Sequence, residues 1–256
     1  MSLESLDLSI LGPAFLAGLL VVSTHIPLGQ EVLARGIIFI DLAIAQIAGL
    51  GVIAAHSFGW ETHGWEVQLA AISAALAGAL VLNWTEKQWP DVQEAVIGVL
   101  FVLAASAGIL LLSNNPHGGE QLKELLVGQI LWVNLSNLLP ILILYSVVLG
   151  IWFSLRARLG RIGFYLLFAV IVTASVQLIG VYLVFATLII PALATRHIQA
   201  QLARLFMGYG LGILGYIIGL VLSALFDLPT GAVIVLSLAG LWIAMGGLRF
   251  NQRESV

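Results

Sequence analysis

The sequence predicts an all-α protein, a polytopic transmembrane helix bundle of about eight to nine spans in a single integral membrane domain over residues 1–256. Three observations carry this. Of the 256 residues 61% are hydrophobic and only 9% charged, whereas a soluble domain carries about 25% charged residues, so the charges are too few to coat a solvated surface. Apolar runs long enough to cross a roughly 30 Å hydrocarbon core recur along the whole chain. The alternating segments of about ten residues that build a membrane β-barrel are missing.

In chain order, charges and Gly/Pro-rich breaks delimit spans near Ile10–Leu28, Gly36–Ser57, Val67–Trp84, Glu94–Ser113, Leu135–Leu155, Leu205–Phe226 and Gly231–Leu248. The first is expected to be retained as a span, because the residues before it include Glu4 and Asp7 but no basic residue, unlike the n-region of a signal peptide. Between the fifth and sixth lies the run Ile162–Ala194. As one helix it would measure about 50 Å, too long for one upright crossing and short for two. It reads as two short helices breaking near Gln177–Gly180, a break tolerated only where protein or a water-filled cavity surrounds the freed backbone. Trp84–Gln93 and Asn114–Lys123 read as loops.

Basic residues set the orientation, because Lys and Arg collect in cytoplasmic loops. With alternating spans, nine of the ten fall on one side: Arg35, Lys87, Arg156, Arg158, Arg161, Arg196, Arg204, Arg249 and Arg253, against Lys123. That side is expected to be cytoplasmic, with the C-terminus there and the N-terminus outside. The outer face then gathers Glu61, His63, Glu66, His117, Glu120, Glu124 and Asp227.

No cysteine is present, so disulfides and thiolate metal sites are excluded and any metal would meet oxygen or nitrogen. The net charge of −3 is small and thinly spread and gives no reason to expect a nucleic-acid partner. Neither the Gly-x-x-x-x-Gly-Lys phosphate loop, the Gly-x-Ser-x-Gly elbow nor the His-Glu-x-x-His helix occurs. No enzyme activity and no bound cofactor are therefore expected of this chain.

Ionisable groups within spans cost roughly 2.5–3.5 kcal/mol at a helix centre, which marks them as functional candidates. Asp41 stands at the foot of a stripe of small residues, Ala45, Ala48, Val52 and Ala55. It reads either as a carboxylate lining a cation path or as a helix-start Asp bonded to nearby backbone. Gln46 lies about 140° around the same helix and reads as an interhelical amide or a further ligand. His25, two residues before Pro27, reads as a packing residue or as an imidazole ligand. His56, His63 and His117 read as outer-loop residues or as a metal-collecting funnel. The polar stretch Pro191–Arg204 reads as a cytoplasmic helix between spans, either a plain connector or a lever able to transmit movement.

At this level of detail the chain resembles the membrane permeases of ABC transporters that import zinc or manganese. Gly180-Val-Tyr-Leu-Val-Phe-Ala-Thr-Leu-Ile-Ile-Pro-Ala-Leu-Ala-Thr-Arg196 is similar, without a gap, to the family's Val-Gly-x-Leu-Leu-x-x-x-Leu-Ile-Ile-Pro-Ala-x-x-Ala-Arg. Glu94-Ala-Val-Ile-Gly-Val-Leu-Phe101, Leu126-Val-Gly-Gln-Ile-Leu131 and Asp227-Leu-Pro-Thr-Gly-Ala-Val-Ile-Val-Leu236 resemble three further family segments. The likeness runs from about Leu28 to Leu241. Two features depart from the family pattern. Aligned on Gly51-Val52, Gln46 stands where the family has His and Leu42 where it has Asp, with Asp41 one residue earlier. The segment Leu155–Gly163 is shorter than its counterpart.

The resemblance implies a permease for divalent metal ions in the bacterial plasma membrane, surrounded by lipid and working as a homodimer by alternating access. A cytoplasmic ATP-binding subunit would hold the ATP, and an extracytoplasmic metal-binding protein would deliver the ion. Asp41, Gln46 and His25 would touch the metal in transit. Ala192, Thr195, Arg196, His197, Gln199 and Arg204 would couple to the ATPase. The alternatives are an ion-gradient-driven secondary transporter, which calls for inverted repeats with paired broken helices, and a membrane scaffold that transports nothing.

Overall fold

The computed structural model describes residues 8–60, 64–113 and 115–253. Glu4, Asp7, Glu61, His63 and Asn114 lie outside the described residues. Among the described residues all regular structure is helical: α1 Leu8–Arg35, α2 Ile40–Ser57, α3 Trp65–Gln88, α4 Gln93–Leu112, α5 Gly118–Val127, α6 Leu135–Ile179, α7 Val181–Thr195, α8 Gln201–Phe226 and α9 Thr230–Arg253. Seven segments are long and apolar enough to cross a membrane, and Val181–Thr195 and Thr230–Gly246 are shorter apolar helices.

Two breaks turn the long C-terminal run into separate helices. Gly160 interrupts α6 with φ 59° and ψ −164°, a combination open to glycine alone. The flanking arms fold back on each other: Tyr145 on the first bonds Ser175 on the second, and Trp152 meets Phe164 at 5.9 Å between ring centroids. The short segment Leu155–Gly163 is thus a tight helical turn. At Gly180 (φ 82°) α6 ends and α7 begins, within the stretch where the sequence predicts a break.

Three expectations are corrected. Asn114–Lys123 is not a loop throughout, since α5 forms from Gly118. Leu122, Leu125 and Leu126 recur there at helical spacing with no Gly or Pro after Gly119. Trp84–Gln93 is helical up to Gln88, continued by a 3-10 turn at Pro90–Val92. Pro191–Arg204 forms no helix of its own: α7 carries Pro191 and runs on to Thr195, residues 196–200 make a short link, and Gln201–Arg204 is the first turn of α8.

The chain packs as two compact units. One comprises Met1–Arg35, Val127–Leu142 and Leu178–Val256. In lipid, helices gain little from the hydrophobic effect and associate through close van der Waals contact, which favours small residues at crossings. Here α1 meets α7 at Gly29, where a Cβ would overlap the carbonyl of Leu188. Gly208 and Gly212 of α8 lie against Ile26 and Val22 of α1, while Gly215 and Gly219 lie against Leu238 and Ile234 of α9. Side-chain bonds fix these contacts: Thr187 to the Tyr216 hydroxyl at 2.9 Å, the Tyr209 hydroxyl to the carbonyl of Ser23 at 2.9 Å, and Ser223 to Thr230 at 2.6 Å. Gly128 and Gly180 (φ 70° and 82°) press backbone to backbone, clasping the start of α7.

The other unit comprises Gly36–Leu126 and Ile143–Gln177. Gly51 of α2 sits on Ala70 and Ala74 of α3, and Gly78 of α3 sits on Ile47 of α2. Gly108 of α4 faces Ile53. At one end of this unit the Gln93 amide donates to the carbonyl of Leu82 at 3.0 Å and contacts the Tyr165 hydroxyl at 3.4 Å, while its oxygen accepts from Thr85 at 3.0 Å. One buried amide thereby ties together α3, α4 and the second arm of α6, and Arg161 reaches Glu86, the residue after Thr85, at 3.5 Å.

Replacing Gly29 or Gly180 by Ala is expected to destabilise the folded protein by about 1–3 kcal/mol through overpacking or backbone strain. Gly210→Ala, whose Cβ meets open space, is expected to leave stability unchanged. Thermal unfolding in detergent, followed by the loss of the monodisperse peak, checks all three.

Candidate functional site

Asp41 occupies the first turn of α2 and is 1% exposed. Phe39 precedes that turn without a side-chain cap. The amides of Asp41 and Leu42 lie close to the Asp41 carboxyl, but neither carboxylate oxygen makes a hydrogen bond of ordinary geometry. Ala45, Ala48 and Ala55 of the small-residue stripe above it are buried as well, while Val52, its fourth member, is half-buried. A buried carboxylate costs several kcal/mol unless a cation, a proton or a set of donors compensates it. Among the described residues Asp41 makes no ion pair with a Lys or Arg.

Gln46 is half-buried on another face of α2, so Asp41 and Gln46 do not converge on one spot. His25 belongs to the other compact unit. It is fully buried in α1, with Nδ1 3.0 Å from the carbonyl oxygen of Val21 and 3.0 Å from the Thr24 hydroxyl. Its Nε2 has no partner. Because Nδ1 lies within reach of a carbonyl of its own helix, a proton there would leave Nε2 as the free acceptor, the form a metal requires. Among the described residues no three His, Asp or Glu side chains come together as a ready-made metal cluster.

Glu94, which opens one of the motifs in the sequence but is not marked there as a ligand, stands at the start of α2 as well. From the first turn of α4 its Oε1 accepts the backbone N–H of Phe39 at 3.1 Å, while Oε2 is buried without a partner. The signal that would have revealed it is a second carboxylate placed, like Asp41, at the start of a span.

The expected coupling residues divide in two. Ala192 and Thr195 are buried in α7, with the Thr195 hydroxyl donating to the carbonyl of Pro191 at 2.8 Å. Both lie within α7, which continues through them to Thr195. Arg196, His197 and Gln199 are exposed on the link, with Arg196 Nε 3.3 Å from His197 Nε2. Arg204 is half-buried, and its Nε has no partner. His117 Nδ1 and Glu120 Oε2 lie 3.3 Å apart at the exposed start of α5.

A model of the ABC 3 transport family matches residues 7–161 and 153–246. The chain belongs to the ABC 3 transport family. Within and around that family it is 26% identical to the manganese transport system membrane protein MntC of Halalkalibacterium halodurans over 256 residues, covering 91% of this chain and 85% of the relative. It is also 26% identical to an uncharacterised membrane protein of Synechocystis, covering 91% and 88%. In fold it is similar to PsaBC from Streptococcus pneumoniae, solved in complex with Fab, with a TM-score of 0.77 at 18% identity over 96% of this chain and 95% of that one. It is likewise similar to an inward-facing putative metal-chelate type ABC transporter, with a TM-score of 0.69 at 19% identity over 91% and 84%.

For this ABC 3 family member, the two readings of Asp41 differ in stability. Asp41→Asn removes a buried carboxyl whose oxygens lack hydrogen-bond partners and is expected to hold or raise the thermal midpoint in detergent. A fall of several degrees would make the carboxylate a structural anchor instead.

Proposed function

We propose that this chain is the membrane-spanning permease subunit of an ATP-binding cassette importer for divalent metal ions, with manganese as its first candidate cargo. The observation that carries the reading is Asp41: a fully buried carboxylate without a hydrogen-bonding partner, set in a chain whose family is that of ABC 3 transport. Carboxylate, amide and water oxygens suit manganese, and relatives from two organisms carry the name of a manganese transport system. Zinc remains the second candidate, with the His25 imidazole as its preferred donor.

In this reading ATP is held and hydrolysed by a separate cytoplasmic subunit and the chain itself binds no cofactor. An extracytoplasmic metal-binding protein delivers the ion, and two copies of the chain enclose the path. The excess of basic residues at one set of helix ends, including Arg35, Lys87, Arg161, Arg196 and Arg204, supports a cytoplasmic location for that side and for the C-terminus. The link 196–200 then faces the ATPase, exposing Arg196, His197 and Gln199. Closure of the ATPase would move α7 and α8 together, since Thr187 and Tyr216 bond across them. The metal must be held weakly enough to leave, so an open site of few protein ligands completed by mobile waters serves better than a closed cage.

Co-reconstitution with the ATPase and the metal-binding protein tests this directly. ATP-dependent uptake of manganese into vesicles is expected, reduced about tenfold or more by Asp41→Ala; normal uptake in that variant removes Asp41 from the path. Arg196→Glu and Arg204→Glu are expected to weaken co-purification with the ATPase. Unchanged co-purification places the coupling surface elsewhere.

A further inference from the structure

We propose that Asp41 and Glu94 together form an inner divalent-cation site at the start of α2, from which the transported ion leaves toward the cytoplasm. The inference rests on the permease reading above and adds to it a second ligand and a location.

Glu94 reaches from α4 to the start of α2, where its Oε1 accepts the N–H of Phe39, two residues before Asp41. Glu94 therefore stands at the same helix start as Asp41, which sits in the first turn of α2. Three carboxylate oxygens, Asp41 Oδ1 and Oδ2 and Glu94 Oε2, are all buried and none has a hydrogen-bond partner. Asp41 is the decisive member, because it is 1% exposed and both its oxygens are free. A lone capping carboxylate would be accounted for by the amides at a helix start, and Glu94 Oε1 is used in that way. Two carboxylates at one helix start are not, since the partial positive charge there amounts to about half an elementary charge. No described Lys or Arg makes an ion pair with either residue, and the Arg161 side chain is engaged with Glu86. What the pair lacks is positive charge, and a divalent ion supplies two units while accepting oxygen ligands from both side chains and from water.

The location follows from the chain. Asp41 and Glu94 both stand in the first turns of their helices, at the end that Arg35 and Lys87 mark as cytoplasmic by the positive-inside rule. An ion entering from outside would therefore reach this pair last. Glu94 keeps one oxygen on the Phe39 amide, which leaves only part of its capacity for metal. Such partial engagement suits a site that must release its ion.

The test is manganese(II) binding to the purified chain in lipid nanodiscs without ATPase, read from the spectrum of the free aquo ion. Glu94→Gln preserves an oxygen acceptor for Phe39, and Asp41→Asn preserves size, so both variants keep the helix start. Each is expected to weaken binding about tenfold, and the double variant no more than the worse single one, the non-additivity of two ligands to one ion. Glu94→Asp, which retains the charge, is expected to keep more of the binding than Glu94→Gln. Wild-type binding in Glu94→Gln, losses that simply multiply in the double variant, or no saturable manganese binding by the unmodified chain would each overturn the site. That result leaves the permease reading intact if ATP-dependent uptake persists in vesicles; binding that needs both carboxylates without any uptake would retain the site and overturn the permease reading.

Discussion

Every helix crossing in this protein has to form without the hydrophobic effect that would drive it in water, since lipid tails are as apolar as the side chains they would release. Close backbone approach replaces that drive. Gly29 against Leu188, Gly51 against Ala70 and Gly128 against Gly180 are places where the main chains themselves touch. Each allows a contact that a methyl group would block. Inter-helix hydroxyl and amide bonds add direction to these contacts: Thr187 with Tyr216 in one unit, Gln93 with Thr85 in the other. Their hydrophobic surroundings make an unsatisfied polar group expensive, so the few that stay unsatisfied stand out.

Asp41 and His25, each almost fully buried, are two of these, one in each compact unit, beside others such as Asn83, Glu94 and Arg204. Their settings differ. His25 is held by its own helix through Nδ1 and presents one free nitrogen. Asp41 presents two free oxygens beside the first-turn amides of its helix. A transport path needs groups of this kind, costly to the fold and repaid only when an ion is present. The proposed coupling surface has the opposite character, with Arg196, His197 and Gln199 in the open on a short link.

Much of this was readable from the residues. Runs of apolar residues separated by charges placed the spans, and the improbable length of Ile162–Ala194 exposed the break that Gly180 makes. The small-residue stripe above Asp41 showed in the spacing of Ala45, Ala48 and Ala55. Other features were not readable, for physical reasons. α5 is a ten-residue helix among polar neighbours, a length at which intrinsic propensity is marginal and tertiary context decides. The burial of Ala192 and Thr195 depends on α7 continuing past Pro191, which a single sequence does not reveal. Glu94 joins Asp41 only when α4 is packed on α2, and the two are far apart in the chain.

The length of α7 carries a consequence of its own. Fifteen residues make a rod of about 22 Å, well short of the roughly 30 Å hydrocarbon layer. A lipid-facing helix so short would have to thin the bilayer around it. Most of α7 is instead buried in protein, with Tyr182 the exposed exception near its start. Its length is therefore matched to its neighbours and not to the membrane, and sliding it along its axis would exchange one set of protein contacts for another without drawing apolar surface out of lipid.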